Sequence, residues 1–332
     1  MRIRNLLLIL TALVIMTGGV GLYLTYSPVT NDADRPVEIP PGTSLRGIAA
    51  ILSDYDVIRS EMLFIAATKI GGSAGKLQSG LYRFPSRLTI PDVITILSEG
   101  SHQAYLQVTV REGLTIRQIA EEIEEQLGIS ADSIRTLAHN HAFIASVGLD
   151  VPSLEGYLLP ETYRVRYDIT ARGILTRLVS SIQDVFTSER RERMRAMGRS
   201  MHDILTMASL VEGETRLDRE RATVAGVYYN RLRRGMLLQA DPTIQYVIPD
   251  GPRRLLYRDL SINSPYNTYM YAGLPPGPVN NPGEASIIAA LYPESHDYYY
   301  FVADGSGGHR FSRTIEEHNR AVAAYRRIQR NR

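Results

Sequence analysis

Residues 37–52 read VEIPPGTSLRGIAAIL, and residues 108–123 read VTVREGLTIRQIAEEI. The two stretches share the pattern V-x-[IV]-x-x-G-x-[ST]-[LI]-R-x-I-A, at an offset of 71 residues. The short β-branched start of each stretch predicts a strand, and the glycine after it predicts a turn. The Ser or Thr that follows precedes a run with helical apolar periodicity, so it predicts a helix with a side-chain cap. The first half of the chain therefore contains one folding unit twice.

Each copy continues in the same way. A second helical stretch follows, at residues 61–70 in the first copy and 130–145 in the second. A strand then returns near Ser79 in the first copy and near Glu155 in the second. The order strand, helix, helix, strand predicts two small βααβ modules, the first followed by an added helix at residues 89–97.

The whole-chain composition is that of an ordinary globular protein. Of the 332 residues 44% are hydrophobic and 22% are charged, and the formal net charge is +2. Because nucleic-acid binding needs a concentrated basic excess, this balance predicts no nucleic acid partner. The chain has no cysteine, which excludes disulfides, thiolate nucleophiles and cysteine-ligated zinc.

The N-terminus predicts a membrane anchor. Arg2 and Arg4 precede an uncharged run at residues 6–26, and at about 1.5 Å per residue such a run reaches about 31 Å. A cleaved signal peptide would have a shorter apolar region and a small-residue cleavage site, which is not found before Pro28. The positive-inside rule then predicts a single-pass protein of the plasma membrane, with a cytoplasmic N-terminus and an extracytoplasmic body after Pro28.

The second half changes character along its length. Helical patterns extend from about Arg164 to a helix at 218–234, and Gly235 is a plausible helix-ending residue. Between Leu237 and Asp304 lie 9 of the 17 prolines and 9 of the 20 tyrosines, so loops and short strands are expected there.

These patterns predict an α+β fold with four parts. They are a stub and transmembrane anchor (1–29), a first βααβ module with its extra helix (30–104), a second module (105–165), and a mixed domain of helices and short strands (166–332).

Glu212 is the residue that most needs an explanation. It follows the amphipathic pattern HDILTMASLV, and at about 100° per residue it falls on the apolar arc between Ala208 and Leu205. A carboxyl group at that position has three possible environments. It is solvated at the helix end, it is paired with a cation, or it is desolvated so that its pKa rises and it keeps its proton. The candidate cations are Arg216, Arg219 and Arg231. Glu214 and Glu220 fall outside the arc and are expected to be solvated.

Four separated motifs of the second half resemble the MltG (YceG-like) family of endolytic murein transglycosylases. They are ASLVEGET (208–215), VYYNRLRRGMLLQADPTIQY (227–246), SPYNTYMYAGLPPGPVNNPG (264–283) and YFVADGSGGHRFSRTIEEHN (300–319). The anchor, the two repeat openings and LEGYLLPETY (154–163) match the family in the same order. One departure is Gly213, where the family often has a longer residue, and it is expected to loosen the end of the helix.

The resemblance implies cleavage of the β-1,4 bond between N-acetylmuramic acid and N-acetylglucosamine, with formation of a 1,6-anhydro ring. Glu212 would be the single acid/base, and its apolar surroundings would keep it protonated. No cofactor and no metal are implied. Peptidoglycan strands are the implied substrate, strand termination the implied role, and penicillin-binding protein synthases the implied partners.

The resemblance also implies substrate contacts in the second half. The residues that match the family's loops are Gln239, Asp241, Thr243, Tyr266, Asn267, Tyr269 and Asn230. Tyrosine rings would offer stacking faces to a sugar, since the chain has no tryptophan. For Asp241, a turn ahead of Pro242 is an equally good interpretation.

The modules resemble LysM, a module that binds N-acetylglucosamine-containing glycans, although packing units without sugar contact explain the pattern equally well. The sequence HNH at 139–141 suggests a metal pair only superficially, and a solvated helix or loop is the better interpretation.

Two alternative functions remain open from the sequence. One is a non-catalytic, membrane-tethered glycan binder that recruits cell-wall synthases. The other is a two-carboxylate glycoside hydrolase, with Glu212 as the acid and Asp241 activating water or forming an intermediate.

Overall fold

The computed structural model of the chain describes residues 2–32, 35–249, 251 and 253–330. The α-helices in these residues are α1 (Arg2–Tyr26), α2 (Leu45–Asp54), α3 (Glu61–Ile70), α4 (Ile90–Glu99), α5 (Ile116–Leu127), α6 (Ala131–Ala138), α7 (His141–Ser146), α8 (Ala171–Val185), α9 (Ser188–Ala196), α10 (Met201–Glu214), α11 (Asp218–Arg233), α12 (Asp241–Val247), α13 (Glu284–Leu291) and α14 (Ile315–Arg330). A 3₁₀ helix covers Tyr257–Ser261.

The strands are short and pair two by two. They are β1 (Val29–Thr30), β2 (Val37–Ile39), β3 (Gly80–Tyr82), β4 (Arg87–Leu88), β5 (Tyr105–Thr109), β6 (Thr162–Arg166), β7 (Tyr300–Ala303) and β8 (His309–Ser312). The pairs are β1–β4, β2–β3, β5–β6 and β7–β8, and three of them, β1–β4, β2–β3 and β7–β8, are antiparallel. The predicted mixed α+β class is confirmed, with helices forming most of the structure.

The chain divides into two compact units. One contains the residues up to Gln107 together with Arg164–Ile169, and the other contains Val108–Tyr163 together with the chain from Thr170 onward. The second repeat therefore belongs to the same compact unit as the helices of the second half.

The first repeat folds as its pattern predicts. Strand β2 leads to a turn at Gly42, whose φ of +79° favours glycine, and the Ser44 hydroxyl caps α2 by accepting from the Gly47 N–H. Strand β3 returns antiparallel, with Val37 opposite Tyr82. A buried apolar cluster fills the unit, including Ile39, Leu52, Phe64, Tyr82 and Leu97. The βααβ order is confirmed here, while the likeness to LysM stays a prediction.

The N-terminal segment forms the 25-residue helix α1. In the described part of the chain, no helix combines the length and the apolar character needed to cross a bilayer. The structure thus gives no support to the anchor predicted within residues 1–29. The side chains of residues 2–7, 9, 12 and 14 lie outside the described set.

The second repeat departs from the prediction in two places. Its helix α5 is capped as expected, by Thr115 in a reciprocal pair with Gln118. The second helical stretch, however, is divided, because Asn140 caps a new helix directly after α6 ends. The HNH sequence thus lies at this junction and is exposed. The returning strand begins at Thr162 rather than near Glu155, since the stretch from Glu155 is a buried turn region.

Helix α10 is covered on every side. All eight residues from Ile204 to Val211 are buried, so the expected amphipathic pattern with one solvent face is wrong. The reason is tertiary packing, because α11, α12 and α13 all pack against this helix. The sequence did not predict helix α13. This helix has only eight residues, too few to show a helical period, and it follows the turn-forming stretch VNNPG.

The second repeat is fixed to the helical part of its unit by Asn281, which is fully buried. Its side-chain oxygen accepts from the N–H groups of Gly156 and Leu158, at 2.9 and 3.0 Å. Its side-chain nitrogen donates to the Leu114 carbonyl and to Glu155 Oε1, both at 2.9 Å. One amide thus satisfies four polar groups that burial would otherwise leave without partners.

Replacing Asn281 should therefore destabilise the second unit strongly. We expect Asn281→Ala to lower the free energy of unfolding by about 2–4 kcal/mol, because two buried donors and two buried acceptors lose their partner. Denaturant titration measures the loss, and Asn263→Ala, at an exposed asparagine, should change stability by at most about 0.5 kcal/mol. Equal effects for the two variants would contradict the role given to Asn281.

Candidate active site around Glu212

Glu212 lies near the end of α10 with only 6% of its side chain exposed. Its Oε2 accepts from the Gly283 N–H at 3.1 Å and from the Ser286 hydroxyl at 2.8 Å. The same oxygen lies 3.0 Å from a guanidinium nitrogen of Arg221. Three donors from two other segments therefore hold one oxygen of this carboxyl group in place.

The other oxygen, Oε1, has no hydrogen-bond partner among the described residues. Glu212 also lines an open groove of about 420 Å³. One oxygen is thus anchored by the protein and the other is available to a ligand. The apolar surroundings expected for Glu212 are not found: the residue faces donors, because α11 and α13 bring polar groups to this end of α10.

Arg221 is the cation of the site, and its side chain is 6% exposed. Besides Glu212 it contacts Asp218 at 3.0 Å and Glu112 at 3.6 Å. Burial acts to lower the pKa of Arg221, but Glu212, Asp218 and Glu112 outweigh it and raise that pKa. The buried carboxylate is therefore matched by a buried, permanently charged partner.

The sequence offered Arg216, Arg219 and Arg231 as partners of Glu212, and it did not indicate Arg221. The distance between positions 212 and 221 depends on how α11 folds back on α10, which periodicity does not show. Arg231 instead donates to the carbonyl of Leu238 at 2.7 Å and lies over the ring of Tyr300.

The groove has walls from four parts of the second unit. Its volume falls within the range of about 300–1,000 Å³ that is usual for ligand sites. The lining residues are the turn at 112–115 and Gln118, the end of α10 with residues 212–216, Pro242, Gln245 and Tyr246 of α12, and Val279 and Asn280. The second repeat therefore supplies one wall and the helical part supplies the others.

Gly213 sits where Pro242 approaches the end of α10. A Cβ added to Gly213 would lie 2.6 Å from the Pro242 side chain, which explains why a larger residue is absent. The expected loosening of the helix is wrong, because α10 continues through Glu214. Close packing of Pro242 takes the place of the missing side chain.

Two more carboxyl groups line the groove. Burial, followed by the nearby Glu212, raises the pKa of Glu112. Glu214 is half-buried and accepts from the Tyr228 hydroxyl at 3.1 Å, and burial, followed by the Asp241 carboxylate, raises its pKa to about 7. The groove therefore contains one carboxyl group, that of Glu214, whose pKa lies near neutral pH.

The expectation that Glu214 and Glu220 are solvated is wrong. Glu220 is buried and pairs with His309 at 2.8 Å, and Glu214 lies against α11. Helical periodicity identifies only one buried face of a helix, and both glutamates lie outside that face. In the structure, tertiary packing buries more than one face of these helices.

None of the seven substrate-binding residues predicted from the family lines the Glu212 groove. Gln239, Asp241 and Tyr269 instead lie around a separate cavity of about 230 Å³, which Glu214 and Arg231 also line. Within it the Tyr269 hydroxyl donates to Asp241 at 2.5 Å. A substrate role for these three residues stays a prediction.

Three other predicted residues use their polar groups inside the protein. The Thr243 hydroxyl bonds to the Ala240 carbonyl, Asn267 donates to the carbonyls of residues 260 and 262, and Asn230 donates to those of residues 296 and 298. All three are buried. Their polar groups therefore hold loops in place and do not form an open surface.

Tyr266, the seventh residue, packs against a tyrosine that does line the groove. Its ring lies 5.0 Å from the ring of Tyr246. Asn280 is a groove residue that the sequence did not reveal. Its nitrogen donates to the Ser209 carbonyl at 2.9 Å, while its buried Oδ1 has no hydrogen-bond partner in the described structure. No group of three or more potential metal ligands occurs among the described residues.

The structure thus combines a mixed α+β fold with a glutamate that is held through one oxygen beside an open groove. The YceG-like family model matches residues 37–324. The endolytic murein transglycosylase of Bacillus subtilis is 35% identical over 329 residues, which cover 94% of this chain and 91% of that protein. The chain belongs to the YceG-like family.

Two further relatives agree with this assignment. A Streptococcus pneumoniae protein, also named endolytic murein transglycosylase, is 28% identical over 320 residues, which cover 87% of this chain and 58% of that protein. The crystal structure of a yceG-like protein from Listeria monocytogenes superposes with a TM-score of 0.60 at 34% identity, covering 86% of this chain and 98% of that chain.

Glu155, which follows the α6–α7 region, adds a pH-dependent element near the groove. It is buried and accepts from the Ile116 N–H at 3.1 Å. Burial raises the pKa of Glu155 to about 8, although the hydrogen bonds from Ile116 and Asn281 act to lower it.

Stability should therefore depend on the Glu155 proton. The folded protein keeps this proton up to about pH 8, whereas an unfolded chain releases it near pH 4.5. The stabilisation is complete below about pH 4.5 and is lost as the pH rises to 8. We expect Glu155→Gln, which stays neutral, to gain on the order of 2 kcal/mol relative to wild type between pH 5 and pH 8.

Chemical denaturation at both pH values measures this difference. Glu161→Gln, at an exposed position, serves as the control and should follow the wild-type pH dependence. Parallel stability curves for wild type and Glu155→Gln would show that Glu155 is ionised in the folded protein at pH 5.

Proposed function

We propose that this protein is an endolytic murein transglycosylase, which cuts peptidoglycan strands between N-acetylmuramic acid and N-acetylglucosamine. The observation that carries the proposal is the asymmetric environment of Glu212. Its Oε2 is held by three donors, while Oε1 has no partner in the described structure and the residue lines the groove. The names of the B. subtilis and S. pneumoniae relatives support the same activity.

The reaction needs one carboxyl group that works twice. In the first step Oε1 of Glu212 gives its proton to the glycosidic oxygen as the bond from C1 of muramic acid to that oxygen breaks. In the second step the C6 hydroxyl oxygen of the same sugar attacks C1, and Oε1 takes the hydroxyl proton. The proton count balances, no water is consumed, and the product ends in a 1,6-anhydro ring.

The three donors suit the carboxylate that forms between the two steps. Between the two steps Glu212 is a carboxylate, and the fixed positive charge of Arg221 together with Ser286 and the Gly283 N–H stabilises that form without rearrangement. Because these groups bind Oε2 alone, they leave Oε1 aligned for the proton transfers. The attacking hydroxyl belongs to the substrate, so proximity replaces a second catalytic carboxylate.

Other groove residues would orient the sugar. The Tyr246 ring offers a flat apolar face of the kind that packs against a pyranose. Asn280 also lines the groove, and its nitrogen is held by the Ser209 carbonyl. The proposed chemistry requires only these side chains and the glycan.

A two-carboxylate hydrolase is the second candidate, and the placement of Glu112 and Glu214 favours it. Both carboxyl groups line the same groove as Glu212, so either is placed to activate a water molecule. Asp241, the partner considered from the sequence, lies around the separate cavity with Tyr269. The hydrolase differs from the transglycosylase in one measurable respect, because it adds water to the product.

The setting of the reaction is also part of the proposal. Peptidoglycan lies outside the plasma membrane, and the arginines ahead of the uncharged run at 6–26 favour a cytoplasmic N-terminus with an extracytoplasmic body. Association with penicillin-binding protein synthases and glycan binding by the βααβ modules are proposed from the family resemblance. A protease-accessibility assay on intact and permeabilised cells tests the orientation.

Replacing Glu212 tests the activity. We expect Glu212→Gln to reduce glycan cleavage by at least about 10³-fold, because an amide neither gives nor takes the required proton. Mass spectrometry of products from uncrosslinked glycan should show wild-type muramic ends one water lighter than hydrolytic ends.

Glu192→Gln, an exposed glutamate on α9, is the matched control and should cleave like wild type. Undiminished cleavage by Glu212→Gln would refute the site assignment. Hydrated product ends would favour the two-carboxylate hydrolase, and a wild-type protein that binds but never cuts glycan would favour the non-catalytic scaffold.

A further inference from the structure

A second cavity continues the Glu212 groove on the side of the second repeat. It has a volume of about 400 Å³. Four residues line both spaces: Thr115, Gln118, Gln245 and Tyr246. The cavity and the groove are therefore neighbours, with these four residues bordering both.

The far wall of the cavity carries two arginines, Arg117 and Arg135. Their side chains are 57% and 41% exposed, so their guanidinium groups are accessible. Each has one carboxylate at long range, Glu121 at 3.6 Å and Asp132 at 3.5 Å, and both carboxylates are largely exposed. Exposed pairs of this kind contribute little and are readily exchanged for a ligand carboxylate.

The opposite side of the cavity is neutral and rigid. Glu155 lines it, but near neutral pH this buried group mainly keeps its proton, because its pKa is about 8. Both polar atoms of the Gln245 side chain are hydrogen-bonded to the backbone of Arg253. The nitrogen donates to the Arg253 carbonyl at 2.6 Å, and the oxygen accepts from the Arg253 N–H at 3.0 Å. The cavity therefore combines two exposed guanidinium groups with a glutamine side chain held in place by two hydrogen bonds.

We propose that this cavity binds the carboxylate groups of the stem peptide carried by the muramic acid whose bond is cleaved. The proposal rests on the function proposed above. The stem peptide branches from the lactyl group of muramic acid, so it must leave the groove close to the cleaved bond. Guanidinium groups recognise peptide carboxylates by paired hydrogen bonds, and the cavity that holds these arginines adjoins the groove through four shared residues.

The test compares two substrates with the full-length chain. One is uncrosslinked glycan that carries stem peptides, and the other is the same glycan after an amidase has removed them. We expect Arg117→Gln with Arg135→Gln to raise KM for stem-bearing glycan about tenfold while kcat stays within about twofold. Cleavage of stem-free glycan should not change.

Matched variants separate charge, geometry and folding. Arg326→Gln with Arg327→Gln, on exposed positions of α14, removes the same charge elsewhere and should behave like wild type. Arg117→Lys with Arg135→Lys keeps the charge but not the paired hydrogen bonds, and we expect it to recover only part of the affinity. Thermal unfolding should give the same Tm for all these variants, because the replaced side chains are exposed.

Binding in the Glu212→Gln background makes the outcome independent of catalysis. There, calorimetry with stem-bearing glycan should show about tenfold weaker binding when both cavity arginines are replaced. Equal affinity with and without the arginines would overturn the stem-peptide assignment even if the enzyme is a transglycosylase. Equal losses with stem-bearing and stem-free glycan would overturn it too, because the cavity would then hold sugar.

Discussion

The contact between Glu212 and Arg221 is the constraint on which the second unit depends. Both side chains are almost fully buried, and a buried charge without a partner costs several kcal/mol. Arg221 comes from α11, while Ser286 and the Gly283 N–H come from the start of α13 and the turn before it. The hydrogen bonds and the ion pair of this one carboxylate thus require α11 and α13 to meet at the end of α10. The same requirement creates the site, because it leaves the second carboxylate oxygen beside the groove.

A second set of contacts gives the groove its other wall. Asn281 lies two residues before Gly283 and bonds to the turn at 113–114 and the stretch at 155–158. The backbone adds to this link, since the Gly113 N–H donates to the Asn281 carbonyl at 2.9 Å. The loop that presents a donor to Glu212 is therefore also the loop that positions the second repeat. One short stretch of chain thus contacts both Glu212 and the turn that lines the groove.

Local patterns predicted much of this arrangement. The repeat predicted the opening strands, the glycine turns and the caps Ser44 and Thr115, because each depends only on neighbouring residues. Glu212 was recognisable as a carboxylate at a position that suits an apolar residue. Its partner Arg221 was not, because the choice among several arginines depends on how two helices cross. For the same reason buried asparagines such as Asn267 resemble binding residues in sequence, although they hold loops together.

The position equivalent to Glu112 in the first repeat is Pro41, and no glutamate of that copy stands in its place. Pro41 offers neither a carboxylate nor an N–H, so the first copy cannot reproduce the wall that its twin builds beside Glu212. A duplicated segment has thus diverged into two parts that are no longer interchangeable: a chimera with two first copies would keep the topology and lose the groove.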